Sequence, residues 1–102
     1  MTELQELETA VKKYNDMVEL FDSDKFEVFY GDIMAIGEDL GNTLVFNYNS
    51  LKIEKKDAIT NQMNFISGFK NYVDGMRVMA EHVQMEHESY LAALEPSNNV
   101  EV

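Results

Sequence analysis

Residues 57–95 read DAITNQMNFISGFKNYVDGMRVMAEHVQMEHESYLAALE. Ile59, Ile66, Phe69, Val73, Met76, Ala80, Val83, Tyr90 and Leu94 fall on one seven-residue repeat, with Gln62 and His87 as its polar members, and Pro96 ends it. The spacing predicts a helix from Asp57 onward. At about 1.5 Å per residue it would run to ~55 Å, more than a compact domain of this size spans. It should therefore kink, with Gly68 and Gly75 the candidate places, or lay part of its length on another chain. Met63, Met79, Met85 and Leu91 widen the apolar stripe beyond what two short helices would cover.

Two shorter helices are expected ahead of it. Thr2 and Gln5 have the spacing of a capping box, and Leu4, Leu7, Val11, Tyr14, Val18 and Phe21 then recur at intervals of three and four, predicting a helix over 3–21. Asp22-Ser23-Asp24 breaks the pattern with three consecutive N-cap candidates. Phe26, Phe29, Ile33, Ile36 and Leu40 resume it, and Gly41-Asn42 reads as a stop. So short a connection predicts that these two helices lie together as an antiparallel pair.

The connector, residues 42–55, is ambiguous. Leu44, Phe46 and Tyr48 alternate as in a strand, whereas Leu40, Leu44, Tyr48 and Leu51 fit a helix. A lone strand would leave its edge unpaired, which favours a continuing helix or an irregular connector. The expected fold is thus all-α, a helical hairpin plus one long C-terminal helix, forming one domain over 1–95 with a short polar tail over 96–102.

Composition narrows the function. The chain has 102 residues, 19 acidic and 8 basic, for a net charge of −11, yet its 45% hydrophobic content is too high for a disordered acidic tail. With no cysteine, thiolate zinc sites, disulfides and cysteine nucleophiles are excluded. The start of the chain lacks the charge and apolar run of a signal peptide, and no apolar stretch approaches the ~20 residues that cross a membrane. A soluble intracellular protein is expected, with no membrane association and no direct binding of nucleic acid, whose phosphates the acidic field would repel.

Charge is distributed unevenly. Residues 1–41 carry −8, residues 42–56 carry +2 and residues 57–102 carry −5. Lys52, Lys55 and Lys56 thus form a basic elbow between acidic arms, either as a solvated surface or as contacts to an acidic partner or neighbouring subunit. Glu81, His82, Glu86 and His87 are the one grouping with metal-ligand character. Neither His-Glu-x-x-His nor Glu-x-x-His occurs, so an ion pair and one interfacial histidine are expected rather than a metal. Asp22-Ser23-Asp24 fails as a calcium loop because Phe26 stands at the third ligand position and no glycine follows where the loop needs one. The glycines are scattered, making no phosphate loop, and the serines lie in no nucleophile-elbow context. No enzyme activity and no cofactor are expected.

The expectation is a non-enzymatic interaction or assembly protein that binds copies of itself, another protein, or both. Phe69, Val73, Met76, Val83 and Tyr90, with Lys52, Lys55 and Lys56, are its candidate interface. Among the tyrosines, Tyr14, Tyr30, Tyr48, Tyr72 and Tyr90 suit an interface because each joins apolar area to a polar tip. The segment from Phe65 to Met76, Phe-Ile-Ser-Gly-Phe-Lys-Asn-Tyr-Val-Asp-Gly-Met, resembles the small, cysteine-free, acidic helical-hairpin proteins of tailed bacteriophages. That resemblance implies a virion accessory protein of head, neck or tail, or a small host-directed factor, located in the host cytoplasm or the virion. The alternative class is an acidic decoy that imitates the phosphate backbone through Glu6, Glu8, Asp16, Glu19, Glu27, Asp32, Glu38 and Asp39 and occupies the site of a nucleic-acid-binding protein.

Overall fold

The computed structural model describes residues 2–94, which form three α-helices and a single 3-10 turn: α1 (Glu3–Phe21), α2 (Asp24–Phe46), the turn Tyr48–Ser50, and α3 (Ile53–Leu94). The fold is all-α, a helical hairpin with a long third helix. The expected stop at Pro96 and the tail over 96–102 lie outside the described residues.

Each helix start follows from local chemistry. The Thr2 Oγ1 accepts from the Gln5 backbone N–H at 3.1 Å while the Gln5 Oε1 accepts from the Thr2 N–H at 3.0 Å, the reciprocal capping box its sequence predicts. Of the three candidates before α2, Ser23 is the N-cap: its backbone is extended, and its Oγ accepts from the Phe26 N–H at 3.3 Å. Asp24 and Glu27 in the first turn complement the positive end of the α2 dipole.

The connector is shorter than expected. Gly41-Asn42 does not stop α2, which runs on to Phe46, and α3 begins at Ile53 rather than Asp57. Among the described residues no glycine has a positive φ, so Gly41 does not serve as a left-handed cap. It serves packing instead, since the Met63 Cε occupies the space 3.4 Å from where a Gly41 side chain would begin. The α2 cap is Asn47, whose N–H donates to the Thr43 carbonyl at 3.0 Å and whose own carbonyl accepts from Ser50 and Leu51. No strand occurs among the described residues, which settles the 42–55 ambiguity for helix and turn.

Packing divides the chain into two compact units. The first combines α1 up to Leu20 with α3 from Gly75 onward, and the second runs from Phe21 to Asp74. Within each unit the shorter helix has its apolar partner on a stretch of α3. Gly68 and Gly75, the candidate kink positions, both lie within the assigned span of α3.

In the first unit the helices run antiparallel. Leu7 shares a groove with Met85, Ser89 and Tyr90, whereas Val18 shares one with Arg77, Ala80 and Gln84. Ala80 and Val83 are buried there. The second unit is also antiparallel, since Gly41 meets Met63, Gly37 meets Ile66, and Phe26 and Tyr30 meet Phe69. Phe21, Ile59 and Val73 are its buried residues, and the Phe21 and Phe26 rings lie 5.0 Å apart across the interhelical turn.

Candidate functional site

The apolar residues expected to form an interface are largely consumed within the chain. Val73 and Val83 retain 4% and 5% of their exposure. Phe69 sits among Phe26, Phe29 and Tyr30 at centroid distances of 5.9 to 6.4 Å, and Met76 and Tyr90 are half-buried. The seven-residue repeat of α3 is thus the chain's own seam, and no partner reaches Val73 or Val83 unless the unit opens.

What the chain leaves open lies one step around each helix. Among the described residues five apolar side chains are buried, while fifteen large ones, including Val28, Phe29, Ile36, Phe65, Tyr72, Val78, Met85 and Leu91, stay exposed. A pair of helices covers one stripe on each and cannot cover a second. Tyr48 and Tyr72 are the two of these fifteen that their residue type singled out. The signal for Phe65 and Tyr72, and for Val78 and Met85, was their own seven-residue spacing beside the main stripe.

The basic elbow is solvent-facing. Lys52 and Lys55 are exposed, and Lys56 is half-buried with its Nζ 3.8 Å from the centre of the Tyr48 ring, a cation–π contact that ties the 3-10 turn to the start of α3. Lys56 has a structural task, whereas Lys52 and Lys55 face solvent. The eight outer-face carboxylates, Glu6, Glu8, Asp16, Glu19, Glu27, Asp32, Glu38 and Asp39, are all exposed. Asp16 accepts from Lys12 at 2.8 Å, and that hydrogen bond, with the attraction of the carboxylate, raises the Lys12 pKa.

The histidine grouping forms an ion-pair geometry. His82 Nε2 lies 3.2 Å from Glu86 Oε1 on the α3 surface, and both side chains are more than half exposed. They line an open groove of about 730 Å³ with Glu3, Leu7, Met85 and Tyr90. His87 is half-buried on the apolar seam, whereas Glu81 faces solvent beside Gln84 and Arg77. Among the described residues no three His, Asp or Glu side chains converge as metal ligands, and no helix is long and apolar enough to cross a membrane.

The described surface thus combines exposed apolar residues, an acidic exterior and open grooves of mixed polar and apolar lining. No protein-family model, no curated protein and no solved structure matches this chain.

Proposed function

We propose that this chain is a non-enzymatic helical interaction protein that assembles with copies of itself. The observation that carries this reading is the imbalance between a few buried apolar side chains and many exposed large ones in an otherwise well-capped helical chain. Single exposed apolar residues are ordinary on a protein surface, but residues that repeat along one helix face are what assembly interfaces are made of. The resemblance of residues 65–76 to small tailed-phage proteins supports a virion accessory role as the setting for such assembly.

The test is the native mass of the full chain by light scattering at low and high salt. A multimer that persists at high salt supports apolar self-assembly. A single-chain mass under both conditions overturns it.

A second reading, the acidic decoy, draws on the exposure of all eight outer-face carboxylates. It requires a complex with a basic nucleic-acid-binding protein that DNA displaces and that weakens steeply with salt. Self-assembly responds in the opposite sense, because salt screens the repulsion between copies of net charge −11.

A further inference from the structure

The second unit is a two-helix hairpin, and its flanks differ in chemistry. On one, Asn64, Ser67 and Lys70 edge an open depression of about 290 Å³ that Met34, Met63 and Ile66 also line, with the Lys70 to Asp74 ion pair of 2.8 Å alongside. The other flank is apolar. Its order follows from one contact, the edge-on meeting of Phe29 with Phe69 at 6.2 Å. Ile36 lies two turns beyond Phe29 on the same side of α2, and Phe65 and Tyr72 lie one turn to either side of Phe69 on α3. Because the helices run antiparallel, Phe29 comes level with Tyr72, and Ile36 with the stretch from Phe65 to Phe69. Phe29, Ile36 and Tyr72 are each about half exposed and Phe65 is 78% exposed. Gly68 stands between Phe65 and Tyr72 on this side of α3, and the space beside it is open.

We propose that a second copy of this chain docks on the flank formed by Phe29, Ile36, Phe65 and Tyr72, related by a two-fold axis, so that two α2–α3 hairpins close into a four-helix bundle. The proposal rests on the self-assembly reading above and specifies its surface. Area is the first argument. Taking ~200 Å² for a full aromatic side chain, the four residues expose about 450 Å² per copy, so two copies hide about 900 Å². The strip formed by Thr43, Ala58, Gln62 and Gly68 brings the total toward the ~1,200 Å² at which stable interfaces begin. Charge is the second argument. On α3 the positions that share this flank, Phe65, Gly68 and Tyr72, carry no charge, so the like charges of two copies meet only at its α2 rim, where Asp32 and Asp39 stand one turn from Phe29 and Ile36, while Glu27 and Glu38 lie on the other side of α2. Self-complementarity is the third, since the aromatic rings and the open space beside Gly68 meet the same rings and space on the partner under a two-fold axis.

The experiment is sedimentation equilibrium on the full chain with Phe65→Glu, and with Val28→Glu as the charge-matched control on the exposed outer face of α2. The expected result is twice the chain mass for wild type and Val28→Glu, and the single-chain mass for Phe65→Glu with its helical circular dichroism intact, a weakening of self-association of at least tenfold. If Phe65→Glu loses helicity, the double variant Phe65→Ser with Tyr72→Ser replaces it, with the same expectation. A Phe65→Glu chain that keeps the wild-type mass overturns the assignment of this flank while leaving self-assembly standing. A wild type at the single-chain mass at every concentration overturns both and leaves the flank to a different protein.

Discussion

Gly37 of α2 lies so close to Ile66 of α3 that a methyl group on the glycine would stand 3.2 Å from the Ile66 Cγ2. Ile66 is β-branched and stiff at χ1 within a helix, so it yields only if the two helices shift apart. The glycines two residues beyond Ile66 on α3 and six residues before Gly37 on α2 have no such task, since Gly68 and Gly31 face open space.

This contrast predicts opposite outcomes for one substitution. Gly31→Ala should stabilise the chain by about 0.5 to 1 kcal/mol through helix propensity alone. Gly37→Ala should lose that gain to crowding, and Gly37→Val should destabilise by about 1 to 3 kcal/mol. Urea denaturation of the three variants decides it, and equal stabilisation of Gly31→Ala and Gly37→Ala would show that the approach of α2 to α3 is looser than described.

Ser23 caps α2 at the point where the chain passes between the compact units, with the Phe26 N–H as its donor. Ser23→Ala should cost about 1 kcal/mol, and Ser23→Asp should restore most of it. Should Ser23→Ala match wild type in denaturation, another group holds the first turn of α2.

Val73 of α3 is buried at 4% exposure, unlike Phe65 on the same helix. Val73→Asp places an uncompensated charge there and should cost at least ~3 kcal/mol, seen as loss of helical circular dichroism and not merely as a change of mass. Retained helicity in this variant would mean that the seam opens to solvent at Val73.

Lys56 and Tyr48 link the connector to α3 through their 3.8 Å cation–π contact. A double-mutant cycle with Tyr48→Ala and Lys56→Ala should report a coupling of about 0.5 to 1 kcal/mol. Strictly additive effects would leave the 3-10 turn held by its hydrogen bonds to Asn47 alone.

Lys70 donates to Asp74 at 2.8 Å, and that hydrogen bond, followed by the attraction of Asp74 and of Tyr30, raises its pKa above the ordinary lysine value. A raised folded-state pKa contributes stability that is complete below the unfolded value and disappears as pH rises through the folded one. Wild type and Lys70→Gln should therefore differ by a constant, small amount through neutral pH and converge in strongly alkaline solution. The urea midpoint measured against pH tests this, and a difference that grows with pH would contradict the pairing. Both partners are solvent-exposed, so the effect is small and salt-sensitive.

Much of the local structure was legible in advance. The capping box of Thr2 and Gln5, the bounds of α1, the cap at Ser23 and the inward stripe of α3 all depend on residues three, four or seven apart, where one helix turn brings the chemistry together. The end of α2 was not legible, because Gly41 followed by Asn42 has the appearance of a stop whether the glycine turns the chain or admits a neighbour. The partner of that glycine, Met63, is 22 residues away in the chain, beyond the reach of any local pattern.

The same division applies to the candidate surface. The order of apolar and charged residues settled on its own that the chain is helical, acidic on its outer faces and richer in apolar stripe than a few short helices absorb, since periodicity records which residues share a face. Periodicity is silent on what covers a face. Only the packing of α2 and α1 onto successive stretches of α3 decided that Val73 and Val83 serve the interior while Phe29, Ile36, Phe65 and Tyr72 stay open, because burial belongs to pairs of elements and a single helix carries no record of its neighbour.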